Sequence, residues 1–110
     1  MNIENNNIFS DLPDKLPEEV FETIINNKNI KIERIISPKD HKTPNGKWFK
    51  QDLNEFVILL KGSAVLLFKE NGDVINLKPG DYINIPGYKE HRVESTDNEV
   101  ETIWLAIHYK

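Results

Sequence analysis

The spacing of apolar positions changes period once along the chain. From Pro17 onward Val20, Phe21, Ile24 and Ile25 fall on one face at helical spacing, with proline in the first turn beside Glu18 and Glu19, which predicts a short α-helix over residues 17–27. After Asn26-Asn27-Lys28-Asn29 the pattern turns to short runs rich in β-branched and aromatic residues, each ended by turn chemistry. These runs predict strands near 30–37, 47–51, 55–61, 63–69, 74–78, 82–86, 91–95 and 101–109. Asn71-Gly72-Asp73 is a hairpin signal, and Lys78-Pro79-Gly80-Asp81 and Thr96-Asp97-Asn98-Glu99 are turns. Strands this short and this closely spaced imply an all-β sandwich or barrel over residues 30–110. With no internal repeat and no linker, the chain reads as a single domain, 1–110, whose first ten residues are expected to fray.

Two strands are apolar on both faces. In 55–61, Glu55, Val57 and Leu59 alternate with Phe56, Ile58 and Leu60, and in 101–109 Ile103, Leu105, Ile107 and Tyr109 alternate with Thr102, Trp104, Ala106 and His108. If one face lines a barrel, the other must be covered by the amino-terminal helix or by a second subunit. A homodimer is the expectation for so small a domain.

At 110 residues the chain has room for one core and one site. Its net charge of −4 and its scattered basic residues give no basic stripe to neutralise phosphates, so nucleic acid is not an expected partner. The absence of cysteine removes disulfides, thiolate metal sites and cysteine nucleophiles. No run approaches the roughly 20 apolar residues of a membrane helix, and the asparagine-rich start is unlike a signal peptide, so a cytoplasmic location with no membrane partner is expected.

The chemistry concentrates in two blocks. In Glu55-Phe56-Val57-Ile58-Leu59-Leu60-Lys61-Gly62 a carboxylate precedes a largely apolar run and a glycine. In Gly80-Asp81-Tyr82-Ile83-Asn84-Ile85-Pro86-Gly87-Tyr88-Lys89-Glu90-His91 a histidine follows a glycine and a proline. Two strands built this way can aim a carboxylate and an imidazole at one interior point. From Trp48 to Lys110 the chain resembles the cupin family, in particular small bacterial single-domain cupins with an altered histidine pair. The resemblance implies a double-stranded β-helix, or jelly-roll barrel, to which the pattern adds the short amino-terminal α-helix.

In that family the first motif supplies a histidine pair ahead of the glutamate, and the second motif supplies a further histidine. Glu55 and His91 match these ligand positions. The pair does not survive: three-residue spacing puts Phe49 and Gln51 there, four-residue spacing Trp48 and Lys50, and the asparagine that often follows the last histidine is replaced by Ser95. Imidazole with carboxylate suits zinc, iron, nickel or manganese, so the resemblance leaves open a weakly bound divalent metal on Glu55 and His91, with a weak amide oxygen from Gln51.

Each candidate also has a structural alternative. Glu55 can pair with an interior base, His91 can be a satisfied interior histidine, and Gln51 is more often a hydrogen-bonding residue than a ligand. Trp48 and Tyr82 are candidates for a pocket mouth, against ordinary aromatic packing. His108 shares a face with Trp104 and could look inward as a replacement ligand, but at the extreme carboxy terminus it reads rather as a surface or subunit contact, and His41 reads as a solvated loop residue. Neither a phosphate-cradling glycine loop nor a serine triad pattern is present.

Three classes of function remain. One is a binding module in which Gln51, Glu55 and His91 hydrogen-bond a small polar molecule, with Trp48 and Tyr82 at the mouth. The second is a metal-dependent oxygenase, isomerase or lyase using Glu55 and His91. The third is a metal-free acid–base enzyme with His91 as proton carrier and Glu55 as its orienting partner.

Overall fold

The computed structural model describes residues 3–110 as an all-β chain. Met1 and Asn2, the start of the segment expected to fray, lie outside the described residues. Eight strands follow in order: β1 (Val20–Asn26), β2 (Ile30–Ser37), β3 (Asn54–Lys61), β4 (Ala64–Phe68), β5 (Val74–Leu77), β6 (Tyr82–Ile85), β7 (His91–Thr96) and β8 (Thr102–Tyr109). Antiparallel pairing assembles them into a five-stranded sheet, β1-β2-β8-β3-β6, and a three-stranded sheet, β5-β4-β7.

No α-helix occurs among the described residues, so the helix expected over 17–27 is corrected to strand β1. Val20, Phe21, Thr23, Ile24 and Ile25 are β-branched or aromatic, a composition that favours a pleated surface over a helix. β1 pairs with β2 from Val20↔Ile36 to Asn26↔Lys31, and the register shifts between Thr23 and Ile25. That bulge adds a residue to the strand and breaks the period of two, which is how a strand came to imitate helical spacing. Residues 47–51 likewise form no strand of their own; they contribute the isolated bridge Phe49↔His91.

The core lies between the sheets. Ile35, Val57, Leu59, Leu66, Val93, Trp104 and Ala106 point inward and are buried together. The turns follow the sequence signals: Asp97 Oδ1 accepts from the amides of Glu99 (2.8 Å) and Val100 (3.2 Å), and Asp81 Oδ2 accepts from the Lys78 amide at 2.9 Å. Both carboxyls are held below the usual aspartate range, chiefly by these backbone amides. Gly62 ends the first motif at φ 87°, and a Cβ there would stand 2.5 Å from Thr102 Oγ1 on β8.

Arg34 reaches out from the opposite face of β2. Its guanidinium donates to Glu22 Oε1 (2.6 Å) and to the carbonyls of Ile8 (3.0 Å), Ser10 (2.6 Å) and Asp11 (3.3 Å), tying the segment before β1 to the sheet. No helix among the described residues is long and apolar enough to cross a membrane.

Candidate functional site

Four ionisable strand side chains line one cavity, one each from four strands. Glu33 comes from β2, Glu55 from the start of β3, His91 from the start of β7 and His108 from the end of β8, and all four line a cavity of about 210 Å³. Strand order explains the convergence. β8 lies between β2 and β3, and Glu55 stands directly opposite His108 in the β3–β8 ladder. His91 approaches from the other sheet, opposite Phe68.

The proline-glycine turn ahead of His91 positions a fifth group. A Cβ on Gly87 would collide with the Asp52 carbonyl, so the turn packs flush against residues 51–54. The Tyr88 amide donates to the Gln51 carbonyl at 2.6 Å, and the Gly87 amide donates to Asn54 Oδ1 at 3.0 Å. His91 and Phe49 exchange two backbone hydrogen bonds, of 2.8 and 3.1 Å. The segment carrying Phe49 and Gln51 is thereby clamped over the cavity.

Inside, Gln51 Nε2 donates to Glu55 Oε1 at 3.2 Å, and His91 Nε2 stands 3.7 Å from the same oxygen. His91 Nδ1 donates to the Lys89 carbonyl at 2.9 Å. His108 Nε2 donates to Glu33 Oε1 at 2.8 Å, while its Nδ1 is buried without a hydrogen-bond partner among the described residues. Burial pushes the Glu55 carboxyl above the usual glutamate range; His108 and then His91 oppose this, and Glu33 and Glu19 reinforce it.

The structure brings Gln51, Glu55 and His91 together and leaves two other candidates outside. Trp48 lies under the Arg92 guanidinium, 4.5 Å from the ring centre, and does not line the cavity. Tyr82 is 67% exposed and packs against Phe56 on the outer face of the sheet. Two cavity residues, Glu33 and His108, and one neighbour of the cavity, His41, were not singled out or were assigned chiefly elsewhere by the sequence. Glu33 shares a face with Ile35 and Ser37, a signal masked by Lys31 on that same face. His108 is buried and looks into the cavity, the less favoured of its two readings, and His41 is partly buried, with Nε2 3.4 Å from Oε1 of the cavity residue Glu19.

The donor set does not fit a metal ion. Among the described residues no three histidine, aspartate or glutamate side chains are grouped closely enough to hold one. Gln51 turns its amide nitrogen, not its oxygen, toward Glu55.

Comparison with known proteins agrees with the architecture. The family model described as Cupin domain matches residues 38–108. The chain belongs to the cupin family. Among solved structures, this cupin is similar to a Ralstonia eutropha protein provisionally named mannose-6-phosphate isomerase, with 34% identity over 98% of this chain and 99% of that one and a TM-score of 0.91. A cupin superfamily protein from Desulfitobacterium hafniense matches at 15% identity over 89% and 83% of the two chains with a TM-score of 0.73. The polyketide cyclase RemF from Streptomyces resistomycificus matches at 14% over 98% and 80% with a TM-score of 0.75. Both of these likenesses concern the fold alone. No protein of curated function matches the chain. In this cupin Phe49 and Gln51 line the barrel where the family resemblance places a histidine pair under three-residue spacing.

Proposed function

We propose that this cupin binds a small polar molecule inside its barrel. The observation that carries the reading is the convergence of Gln51, Glu55, His91 and His108 on one cavity whose remaining walls include Ile35, Val57, Leu66 and Val93. A few convergent polar groups in an apolar pocket are the usual make-up of a ligand site. At about 210 Å³ the space is below the roughly 300–1,000 Å³ of drug-sized sites, so the ligand is small. Native mass spectrometry of the purified protein tests this. A small molecule retained by the wild type and lost in both His91→Ala and Glu55→Ala supports it, and retention by both variants removes the barrel as the site.

A second reading has its own support. Glu55, with its carboxyl raised by burial, faces an imidazole nitrogen at 3.7 Å, an arrangement able to relay a proton across a bound substrate. The Ralstonia relative's provisional name is that of an isomerase. Turnover that falls by about 10²–10⁴-fold in His91→Ala separates this reading from binding alone.

In either reading the chain works as a homodimer. Support comes from the outer face of β3 and β8, where Phe56, Ile58, Leu60, Leu105 and Ile107 remain only half-buried.

A further inference from the structure

The hydrogen-bonding valence of the cavity restricts what it can hold. His91 Nδ1 faces the Lys89 carbonyl at 2.9 Å, and a carbonyl only accepts, so the proton of the neutral ring sits on Nδ1. Its Nε2 is then a bare acceptor. Glu55 Oε1, another acceptor, stands 3.7 Å from that nitrogen, and at this distance the two do not close a hydrogen bond even if a proton is added.

His108 repeats the situation with its nitrogens exchanged. In the neutral ring Nε2 spends its proton on Glu33 at 2.8 Å, which leaves Nδ1 as an acceptor, buried and unpartnered among the described residues. Most donors nearby are already used. Gln51 gives one N–H of its amide to Glu55, Trp104 gives Nε1–H to Ser37 Oγ at 3.0 Å, and Ser37 gives its hydroxyl to Glu19 at 2.6 Å. Apart from the second Gln51 N–H and the exposed Lys50 ammonium, what the cavity has left to offer is acceptors.

Charge points the same way. Three carboxyl groups, Glu19, Glu33 and Glu55, line the cavity against one lining lysine, Lys50, which is itself exposed; Glu33 has Lys31 Nζ at 3.6 Å and Glu19 has His41 Nε2 at 3.4 Å, while Glu55 has no lysine or arginine beside it among the described residues. The rings of Phe21, Phe49 and Trp104 complete the wall.

We propose that the barrel ligand is a small nitrogenous cation of the guanidinium or ammonium type, held by His91 Nε2, the Glu55 carboxylate and the aromatic wall. Such a ligand brings several N–H donors and a positive charge to a site with few free donors and more carboxyl groups than cations, and aromatic faces attract it further. A phosphate or carboxylate ligand would set acceptor against acceptor and add negative charge beside three carboxylates. The inference rests on the binding reading above and names the chemistry of that same cavity.

Methylguanidinium, its neutral isostere N-methylurea, acetate and mannose 6-phosphate form a matched set of probes. Each is titrated into the ¹⁵N-labelled protein at constant ionic strength while the backbone amides of Glu55, His91 and Trp104 and the imidazole nitrogens are followed. Saturable shifts with methylguanidinium, about tenfold or more tighter than with N-methylurea, are expected, weakened by a similar factor in Glu55→Gln and in Glu33→Gln. Tyr82→Phe, outside the cavity, leaves them unchanged. If N-methylurea, acetate or mannose 6-phosphate binds the same residues as tightly or more so, the cation proposal falls while small-molecule binding stands. If no probe moves these residues, the cation proposal falls with the reading beneath it. Zinc ion shifting them where methylguanidinium does not would also overturn it, in favour of a metal site.

Discussion

His91 Nε2 and Glu55 Oε1 meet 3.7 Å apart across the space between the two sheets, one from the first residue of β7 and the other from the start of β3. Neither side chain has an ion-pair partner in its own sheet close enough to neutralise it outright, and the Gln51 amide is the direct hydrogen bond to that carboxylate oxygen. The pair is therefore set by sheet packing, and its protonation is coupled to folding.

That coupling has a definite sign. Burial raises the folded-state Glu55 carboxyl above its unfolded value, so the folded protein binds more protons between those two values and loses stability as pH rises through the folded one. Glu55→Gln removes this loss. The variant gains stability relative to wild type as pH climbs from below the ordinary glutamate range toward neutrality. Urea denaturation midpoints of both proteins over that range would show the difference widening, and parallel pH profiles would refute it.

Gly62 and Gly72 separate backbone strain from steric collision. Both have positive φ, 87° and 70°, but only Gly62 has a neighbour where its Cβ would be. Gly72→Ala should cost about 1–2 kcal/mol for the left-handed conformation alone. Gly62→Ala adds overpacking against Thr102 and should cost on the order of 3 kcal/mol or more. Equal losses in chemical denaturation would mean that Thr102 yields freely.

Metal removal should leave the barrel intact. With no grouped set of three carboxylate or imidazole donors among the described residues, any divalent ion binds weakly, and chelation should change neither the sheet signal in circular dichroism nor the melting temperature. Placing donors at two cavity positions, Phe49→His with Gln51→His, should create zinc binding measurable by calorimetry. A large loss of sheet signal on chelation of the wild type would contradict this account.

Light scattering addresses the second subunit. A dimer mass is expected for the wild type and a monomer for Ile58→Glu, which places a charge on the outer face of β3. A monomer at every concentration of wild type would dispose of the dimer.

The barrel and half of the site were readable because a few residue types admit few roles. Gly62, Pro86, Gly87, Glu55 and His91 stand where a turn, a close approach or an interior polar group needs them, and their spacing does not depend on knowing the sheet order. β1 was misread because its bulge between Thr23 and Ile25 shifts the apolar spacing from two toward the helical period. Glu33 and His108 were missed as a pair because they meet only through the β2–β8 ladder, which joins opposite ends of the chain. No local pattern reports such a contact.

The backbone of the segment from Trp48 to Gln51 joins the barrel through one bridge and one turn, not through a ladder. Its side chains can therefore be exchanged at small cost to the sheets, whereas Glu55 and His91 are embedded in strands that the rest of the fold needs. The cavity behaves as a fixed socket with a replaceable rim. Selection for a new ligand would act first at positions 49 and 51, and the barrel would outlast each change of chemistry.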